Sequence, residues 1–374
     1  MTLSPKDGDS IRLTDTRALT GLRFLAAFHV LLLHELPDEI ANTGPIISEL
    51  LERTAAVSIF FVLSGFLMSL GRGTREWKSR EWLTFLKKRV AKVMPVYYVG
   101  FLVFLPVFLM RLSRMEDANL LDGIFPALAN LFHIQSFLPH FEEPWYINRP
   151  AWTIGVFMTF YLMFPYIHSW LLKKSARVVG LLFWIFFIAS QAVVILLESN
   201  LDMNSTKIEI LHKFPLVRIF EFLMGVTAGT WLNLRNEPLN VESKYTFPIA
   251  LSTVLLFIFL PPIFSNYIHN GLLTPLFILL FLSSSHGTDR TMALLRHGPI
   301  YRMGEASYSF YILHLPLANY ISLAIIFLLG DSMRFTFEFL ILDILIVLPI
   351  TLWFYNKFEE PMRLRILGQT SSNL

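Results

Sequence analysis

Several ionisable side chains, Arg23 and His34 among them, stand on the first long apolar segment of the chain, LTGLRFLAAFHVLLLHELP (residues 19–37). Arg23 and His34 are 11 residues apart, and that many helical steps of about 100° return to within roughly 20° of the starting direction. The two side chains therefore share one helix face and lie about 16 Å apart along the axis. A permanent cation and a base that titrates at about pH 6.5 would give this face a polar path with a proton acceptor at one end.

A simpler interpretation of this helix face stays open beside the first. Amphipathic side chains near the ends of a membrane helix reach the headgroups, which would explain Arg23 at the inner end and His34 at the outer end. Ionisable groups inside a bilayer cost a few kcal/mol each on insertion scales and commonly mark functional sites. Other segments must decide between the two interpretations.

A basic cluster precedes a later apolar run in FLKKRVAKVMPVYY (residues 85–98). Lys92 follows Lys88 by four residues and Arg89 by three, so the three side chains are neighbours on a helix. Such clusters set membrane topology or bind lipid headgroups, and the same donors suit a phosphate-rich ligand such as a coenzyme A ester. In the preceding segment, FFVLSGF, Ser64 stands mid-span, where a small residue permits a close helix approach or a ligand-lined wall.

Polar side chains recur in the apolar segments further along the chain. Arg218 and Glu221 are three residues apart and can form an ion pair, so a structural role and a binding role are both open. Trp152 also suits the aromatic belt at the outer membrane surface, and His314 is either a satisfied core histidine or a functional one. The candidates for substrate contact in these segments are Asn148, Trp152, Arg218, Glu221, Tyr308 and His314.

Membrane helices are the elements that must position these residues. Of the 374 residues, 54% are hydrophobic and 16% charged, whereas soluble proteins carry about 25% charged residues. Crossing a hydrocarbon core of about 30 Å takes roughly 20 residues of helix. Apolar runs of this length predict an all-α, polytopic bundle of about ten transmembrane helices, at 19–36, 54–71, 93–111, 150–172, 178–198, 214–234, 246–265, 270–285, 306–330 and 335–356.

The distribution of lysine and arginine predicts the orientation of this bundle. With ten spans and a cytoplasmic N-terminus, 22 of the 31 basic residues fall on the inside and seven on the outside. This is a strong positive-inside bias, so both termini are expected in the cytoplasm. An eleventh span at 120–138 would spoil the bias downstream, and Pro126, Asn130 and His133 interrupt that stretch, which we expect to be re-entrant or interfacial.

One transmembrane domain is expected to occupy residues 1–374, because no appended soluble domain is recognisable. Its parts outside the spans are a cytoplasmic tail at 1–18, a basic cytoplasmic segment at 72–92 and an outer segment at 112–149. The absence of cysteine excludes disulfides, thiolate metal ligands and a cysteine nucleophile, and we expect no metal. No basic face on a soluble domain is visible, so we expect no nucleic-acid partner.

The order of these features resembles the membrane-bound acyltransferase 3 family over nearly the whole chain, from Leu19 to Arg363. The family pattern of arginine, ten residues and histidine matches Arg23 and His34, and its FFVLSGF matches residues 60–66. Members of this family move acyl groups onto glycans at bacterial envelopes.

Three further stretches carry the same resemblance. The basic cluster before P-x-Y, the stretch SYSFYILHLPL (residues 307–317) and the closing E-x-P-x-R (residues 359–363) are all similar to the family. The family's RxxR element stands here as Arg89 and Lys92, which keeps the charge without the bidentate fork of a second guanidinium.

The resemblance implies transfer of an acyl group, acetyl above all, from cytoplasmic acyl-CoA to a hydroxyl of an envelope glycan or lipid-linked sugar. The expected location is a bacterial inner membrane, in contact with its lipids. Arg23 would steady a phosphate or polarise the thioester carbonyl, and His34 would be the general base, a role typically worth about 10²–10⁴-fold in rate. The contacts to acyl-CoA would be Lys88, Arg89, Lys92 and Ser64.

One position departs from the family pattern. The family's fourth span resembles W-S-L-S-V-E, whereas this chain has W-T-I-G-V-F, so that Phe157 stands where a glutamate is expected. A phenyl ring cannot accept a proton or orient an imidazole. Either another carboxylate substitutes, with Glu35, Glu221 and Asp343 as candidates, or the activity of this chain is altered.

Two other functions stay open on the sequence. A proton-coupled transporter or flippase would also use intramembrane ionisable residues, although no inverted repeat relates the two halves of the chain. A catalytically weakened relative would bind acyl-CoA or a glycan without efficient turnover. Phe157, in place of the expected glutamate, favours this hypothesis.

Overall fold

The computed structural model describes residues 15–37, 55–115, 121–138, 146–200, 205–235, 243–285, 292–330 and 332–369. These residues form helices joined by turns and contain no strand, which confirms the all-α prediction. The first 14 residues of the predicted cytoplasmic tail lie outside the described residues. The described helices are α1 (Arg17–His34), α2 (Ala55–Arg72), α3 (Ser79–Leu112), α4 (Ile124–Leu131), α5 (Trp152–Leu172), α6 (Ala176–Asn200), α7 (Ser205–Lys213), α8 (Pro215–Leu234), α9 (Thr246–Phe259), α10 (Ser265–His269), α11 (Thr274–Ser284), α12 (Ala293–Arg296), α13 (Gly298–Glu305), α14 (Ser307–Leu329), α15 (Phe337–Phe354) and α16 (Glu360–Leu367).

Six helical stretches in the described part of the chain are long and apolar enough to cross a membrane. They are α2, α3, α5, α6, α14 and the stretch that runs from α15 into α16. A seventh results if α9 and the bent segment that follows it form one span. The helices indicate an integral membrane protein, while the count of about ten spans and the cytoplasmic termini stay predictions.

Helix α9 ends earlier than the apolar run that predicts a span at 246–265. Pro261 and Pro262 follow Leu260, and proline both lacks an N–H donor and clashes with the preceding helical turn. The chain therefore breaks, and the segment from Pro262 to His269 continues at 113° to α9.

Helix α3 is longer than the span predicted at 93–111. It begins at Ser79 and has 34 residues, so the basic cluster is helical and continuous with the apolar part. At 1.5 Å per residue the helix is about 51 Å long, roughly 20 Å more than a hydrocarbon core. The basic end of α3 therefore has the length to project beyond the hydrocarbon region.

The segment predicted to lie on the outer side contains a helix too short to span a membrane. Helix α4 has eight residues and is therefore about 12 Å long, and the turn Gln135–Phe137 follows it. Tyr97 of α3 holds this segment by donating a hydrogen bond to the carbonyl oxygen of Asn130 (2.5 Å). A helix of this length is too short to cross a hydrocarbon core, and the re-entrant or interfacial placement of the segment stays a prediction.

Glycines let α2 and α8 cross with their backbones in contact. A Cβ on Gly65 would overlap the carbonyl oxygen of Phe222, and a Cβ on Gly225 would overlap that of Val62. Gly225 and Gly229 form a G-x-x-x-G pair, the spacing at which small residues permit such an approach between membrane helices. The close helix approach expected beside Ser64 is therefore present.

Helices α1 and α14 pack side by side along an aromatic seam. The ring of Phe24 meets that of Phe310 edge to face at 5.6 Å, and Phe28 stacks on Phe310 at 6.5 Å. Near the start of α1, the backbone of Thr20 contacts Gly304 of α13, where a Cβ would overlap it. The two helices that carry Arg23 and Tyr308 are thereby held together.

Replacing Gly225 with alanine is expected to destabilise the fold. The new Cβ would overlap the backbone of α2, and overpacking of this kind typically costs about 1–3 kcal/mol. Thermal unfolding of the detergent-solubilised protein measures the effect. Gly71→Ala is the matched control on α2, since its Cβ would meet no atom within 4 Å. Equal unfolding temperatures for the two variants would contradict this packing.

Candidate active site

A cavity of about 180 Å³ opens between α1, α2, α3, α5 and α14. Its lining side chains recur at helical spacings of three and four, so one face of each helix points inward. Five of the residues singled out by the sequence line it together: Arg23, Ser64, Arg89, Lys92 and Tyr308. The tertiary structure thus brings residues from four separate segments to one place.

Three cations converge at one end of this cavity. The charges of Arg23, Arg89 and Lys92 act on one another, and the Cζ of Arg89 lies 5.6 Å from the ring centroid of Tyr161. Within the described part of the chain neither arginine pairs with a carboxylate. The Nζ of Lys92 lies 4.0 Å from Oε1 of Glu359. This cation end therefore suits the phosphate or carboxylate group of a ligand.

Hydroxyl groups mark the opposite end of the cavity. The hydroxyl of Tyr311 donates to the carbonyl oxygen of Pro150 (3.0 Å), and Thr153 Oγ1 donates to the Tyr311 oxygen (3.3 Å). Thr153 and Tyr161 are eight residues apart on α5, so the hydroxyl end and the cation end are about 12 Å apart. The cavity is thus an elongated space with different chemistry at its two ends.

Two histidines stack just beyond the hydroxyl end. The rings of His34 and His314 are 5.5 Å apart and inclined by 26°. His314 follows Tyr311 by three residues on α14, about 4.5 Å further along the axis. His34 itself does not line the cavity. The sequence placed Arg23 and His34 on one helix face, and the structure adds His314 from a distant segment.

The hydrogen bonds of His314 define its tautomer. Its Nδ1 lies 2.9 Å from the carbonyl oxygen of Tyr311 and 3.3 Å from that of Phe310, and both oxygens can only accept. Nδ1 therefore carries a hydrogen, and in the neutral ring Nε2 keeps a lone pair. That atom is buried and has no hydrogen-bond partner among the described residues.

Phe157 occupies the middle of the cavity wall. It lies four residues from Tyr161 on α5, and its ring packs against those of Phe61 at 5.1 Å, Phe160 at 6.1 Å and Tyr161 at 5.8 Å. The position where the family resemblance predicts a carboxylate is therefore an apolar surface. No carboxylate lines the cavity in the described part of the chain.

The three candidate replacements for that carboxylate lie elsewhere. Glu35 pairs with Arg334 at 2.7 Å, and Glu221 pairs with Arg218 at 3.0 Å. Asp343 on α15 is fully buried, and neither of its oxygens has a hydrogen-bond partner in the described part of the chain. The structure therefore brings none of them to the cavity.

Arg218 and Glu221 belong to a buried network behind the cavity wall. Arg218 is fully buried and donates to the carbonyl oxygen of His269, to which Ser58 Oγ also donates at 2.8 Å. The network thus ties α8 and α2 to the segment that follows the break after α9. Phe61, whose ring lies 5.2 Å from the Arg218 Cζ, also packs on Phe157.

Three other candidates lie outside the cavity. Lys88 is exposed on α3. The Nδ2 of Asn148 donates to the carbonyl oxygen of Ile312 (2.9 Å), and the Oδ1 of Asn148 is buried without a partner in the described structure. Trp152 is buried with its ring against Phe61, which places it within the bundle.

The residues at or beside the cavity that were not assigned to the site from the sequence include Thr153, Tyr161, Tyr311 and Glu359. Helical spacing could have found three of them. Thr153 and Tyr161 each lie four residues from Phe157 and share its helix face, and Tyr311 follows Tyr308 by three residues. Glu359 stands in the E-x-P-x-R stretch, but nothing in the sequence indicates its distance from Lys92. The described residues contain no group of three or more histidines, aspartates or glutamates that could hold a metal ion.

Comparison with known protein families identifies the family of this chain. The acyltransferase domain of the acyltransferase 3 family matches residues 16–355, which include every helix that lines the cavity. This chain belongs to the acyltransferase 3 family. The acyltransferase 3 match begins just before α1 and ends at the first residue after α15.

Two curated relatives extend over most of the chain. Acyltransferase MdmB of Streptomyces mycarofaciens is 26% identical over 328 residues, covering 81% of this chain and 79% of the relative. Exopolysaccharide production protein ExoZ of Rhizobium meliloti is 28% identical over 271 residues, covering 70% of this chain and 75% of the relative. No solved structure matches this chain.

If the buried Arg218–Glu221 pair is structural, removing both charges should destabilise the fold less than removing one. Arg218→Met would leave Glu221 buried without its partner, and breaking such a pair typically costs about 3–5 kcal/mol. Arg218→Met/Glu221→Leu would remove both charges and should unfold at a higher temperature than the single variant. Thermal unfolding in detergent tests this order. The reverse order, or no loss of stability in the single variant, would refute a structural role.

Proposed function

We propose that this acyltransferase moves an acyl group, acetyl in the first instance, from acyl-CoA to a hydroxyl of a cell-envelope or lipid-linked glycan. The observation that carries the proposal is the cavity, which has a cluster of cations at one end and leads to a histidine pair beyond the other. A phosphate-bearing donor fits the first end, and proton abstraction from a hydroxyl fits the second.

Acyl-CoA is the donor class that the cation end suits. Its phosphates would be held by Arg89 and Lys92, with Arg23 further inside, and these groups already converge without a full set of counter-charges. The pantetheine arm would extend past Ser64, Tyr308 and the apolar wall toward His34. The axial distance from Arg23 to His34 is about 16 Å, because the two residues are 11 apart on α1.

His34 is the proposed general base. It takes the proton of the acceptor hydroxyl while the hydroxyl oxygen attacks the carbonyl carbon of the thioester. The carbon–sulfur bond then breaks, the acyl group remains on the acceptor oxygen, and the thiolate of CoA leaves and takes up the proton from His34. No covalent acyl-enzyme is required, so no serine, threonine or tyrosine nucleophile enters the scheme.

His314 contributes to this chemistry through its neutral ring. Because its Nδ1–H is directed at backbone carbonyls, its ring is held in one orientation against His34. The imidazolium that forms on His34 would therefore rest against an oriented neutral ring. The free Nε2 of His314 also offers an acceptor for a sugar hydroxyl, as expected of a substrate-binding residue.

The relatives support the choice of acceptor class. MdmB is named as an acyltransferase and ExoZ as an exopolysaccharide production protein. An envelope glycan is therefore the acceptor we propose for this chain, at the outer side of a bacterial inner membrane. Asn148 and Trp152 flank the turn before α5 and remain candidate acceptor contacts near that side.

Phe157 favours a second candidate, a relative that binds acyl-CoA but transfers slowly. The cavity wall is aromatic where the family resemblance predicts a carboxylate. Saturable acyl-CoA binding without detectable release of CoA would support this candidate over the enzyme.

Binding of radiolabelled acetyl-CoA to the purified protein tests the donor site without knowledge of the acceptor. Arg89→Ala/Lys92→Ala should abolish saturable binding, because it removes two of the three cations at the cation end. Lys88→Ala is the matched control, since Lys88 is exposed on the same helix and does not line the cavity. Binding that survives the double substitution, or that fails equally in the control, would rule out this donor site.

Release of free CoA by membranes that contain the protein tests the base. His34→Gln should lower the rate about 10²–10⁴-fold, the range typical of a lost general base. The control is His29→Gln on the same helix, where the ring of His29 packs against Phe257 at 5.8 Å. An unchanged rate in folded His34→Gln protein would show that His34 is not the base.

A further inference from the structure

A π-helical turn delivers one carboxylate to the back of the cavity. Helix α15 widens at Tyr355–Glu359 into a π-helix before α16 continues. Pro361 lies just beyond the turn, where it cannot donate to the carbonyl four residues back and crowds that carbonyl. Single π-helical turns within α-helices are frequent at functional sites, because the extra residue changes which side chains face inward.

The turn separates two consecutive glutamates into different environments. Glu359 points inward with 2% of its side chain exposed, while Glu360 keeps 25% of its side chain exposed and pairs with Arg363 at 2.5 Å. A carboxylate is rarely buried in this way unless partners compensate for the loss of water. The partners of Glu359 therefore indicate its role.

Glu359 joins two helices of the cavity wall. Its Oε2 accepts a hydrogen bond from Ser309 Oγ at 2.5 Å, and its Oε1 lies 4.0 Å from Nζ of Lys92. Ser309 stands directly after Tyr308, and both Tyr308 and Lys92 line the cavity. Glu359 does not line the cavity itself, so it acts from behind the wall.

The charge balance of the cation end depends on this carboxylate. Arg23, Arg89 and Lys92 repel one another, and no second carboxylate pairs with any of them within the described part of the chain. Lys92 has 41% of its side chain exposed, so it has room to turn away toward water. The carboxylate of Glu359 opposes that movement by Coulomb attraction.

We infer that Glu359 is a positioning residue that keeps Lys92 at the cavity wall, where the ammonium group meets a phosphate of the acyl donor. Ser309 fixes the carboxylate for this task through its hydrogen bond. The inference rests on the proposed function, since it assumes a phosphate-bearing donor in this cavity. It adds a residue that would touch neither the donor nor the acceptor.

The test compares two donors with the same thioester. Acetyl-CoA carries phosphates, whereas acetyl-pantetheine carries none. Glu359→Gln keeps a hydrogen-bond acceptor for Ser309 and removes only the charge. It should raise the KM for acetyl-CoA about tenfold, leave kcat within about twofold, and leave the KM for acetyl-pantetheine unchanged.

Two further variants distinguish a loss of Lys92 positioning from misfolding or local damage. Ser309→Ala leaves the carboxylate in place and should raise the KM for acetyl-CoA in the same direction by a smaller factor. Glu360→Gln is the matched control one residue along, and its kinetics should equal those of the wild type. In a Lys92→Ala background Glu359→Gln should have no further effect on the KM for acetyl-CoA, because it acts through Lys92.

The results separate this inference from the proposed function. Equal changes for both donors, a loss confined to kcat, or an unchanged KM in folded Glu359→Gln and Ser309→Ala would overturn the role of Glu359. A wild-type protein that neither binds nor turns over acetyl-CoA would instead overturn the proposed function, and this inference with it.

Discussion

Convergence of positive charge with few counter-charges is the constraint on which the rest of the structure depends. Arg23, Arg89 and Lys92 come from two helices that are far apart in sequence, and only Lys92 has a carboxylate close by, in the described part of the chain. Repulsion between such charges grows as water is removed, so the fold must hold them against it. The aromatic ring of Tyr161 and the buried Glu359 are the groups that do so. An anionic ligand would complete the balance, as the proposed donor site requires.

Backbone packing supplies the rigidity that this cluster requires. The glycines of α2 and α8 bring two helices into direct contact, and the buried Arg218–Glu221 pair fastens α8 to the segment after the broken α9. The ring of Phe61 connects this framework to the cavity wall by packing on Phe157. Arg218 and Glu221, which the sequence offers as candidate substrate contacts, direct their hydrogen bonds at other parts of this framework.

The distance between the two ends of the site determines how it could work. Donor phosphates and an acceptor hydroxyl would lie at opposite ends of an elongated space, with the apolar surface of Phe157 between them. A long, flexible donor arm can bridge such a gap, whereas a compact substrate cannot. Helices α1 and α14 carry both ends, Arg23 and His34 on one and Tyr308 and His314 on the other. Their side-by-side packing therefore aligns the cation end with the histidine pair.

The sequence by itself determined the all-α class, the shared face of Arg23 and His34, and the basic cluster of Arg89 and Lys92. These are properties of helical periodicity and composition, which depend on neighbours along the chain. Only the tertiary structure decided which polar residues meet: it joined His314 to His34 and Glu359 to Lys92, and it removed Arg218 and Glu221 from the cavity. It also decided that α9 is broken and that α3 extends to Ser79. Contacts between segments hundreds of residues apart follow from how the helices pack. Periodicity along one helix shows which residues share a face, but it does not indicate which other helix packs against that face.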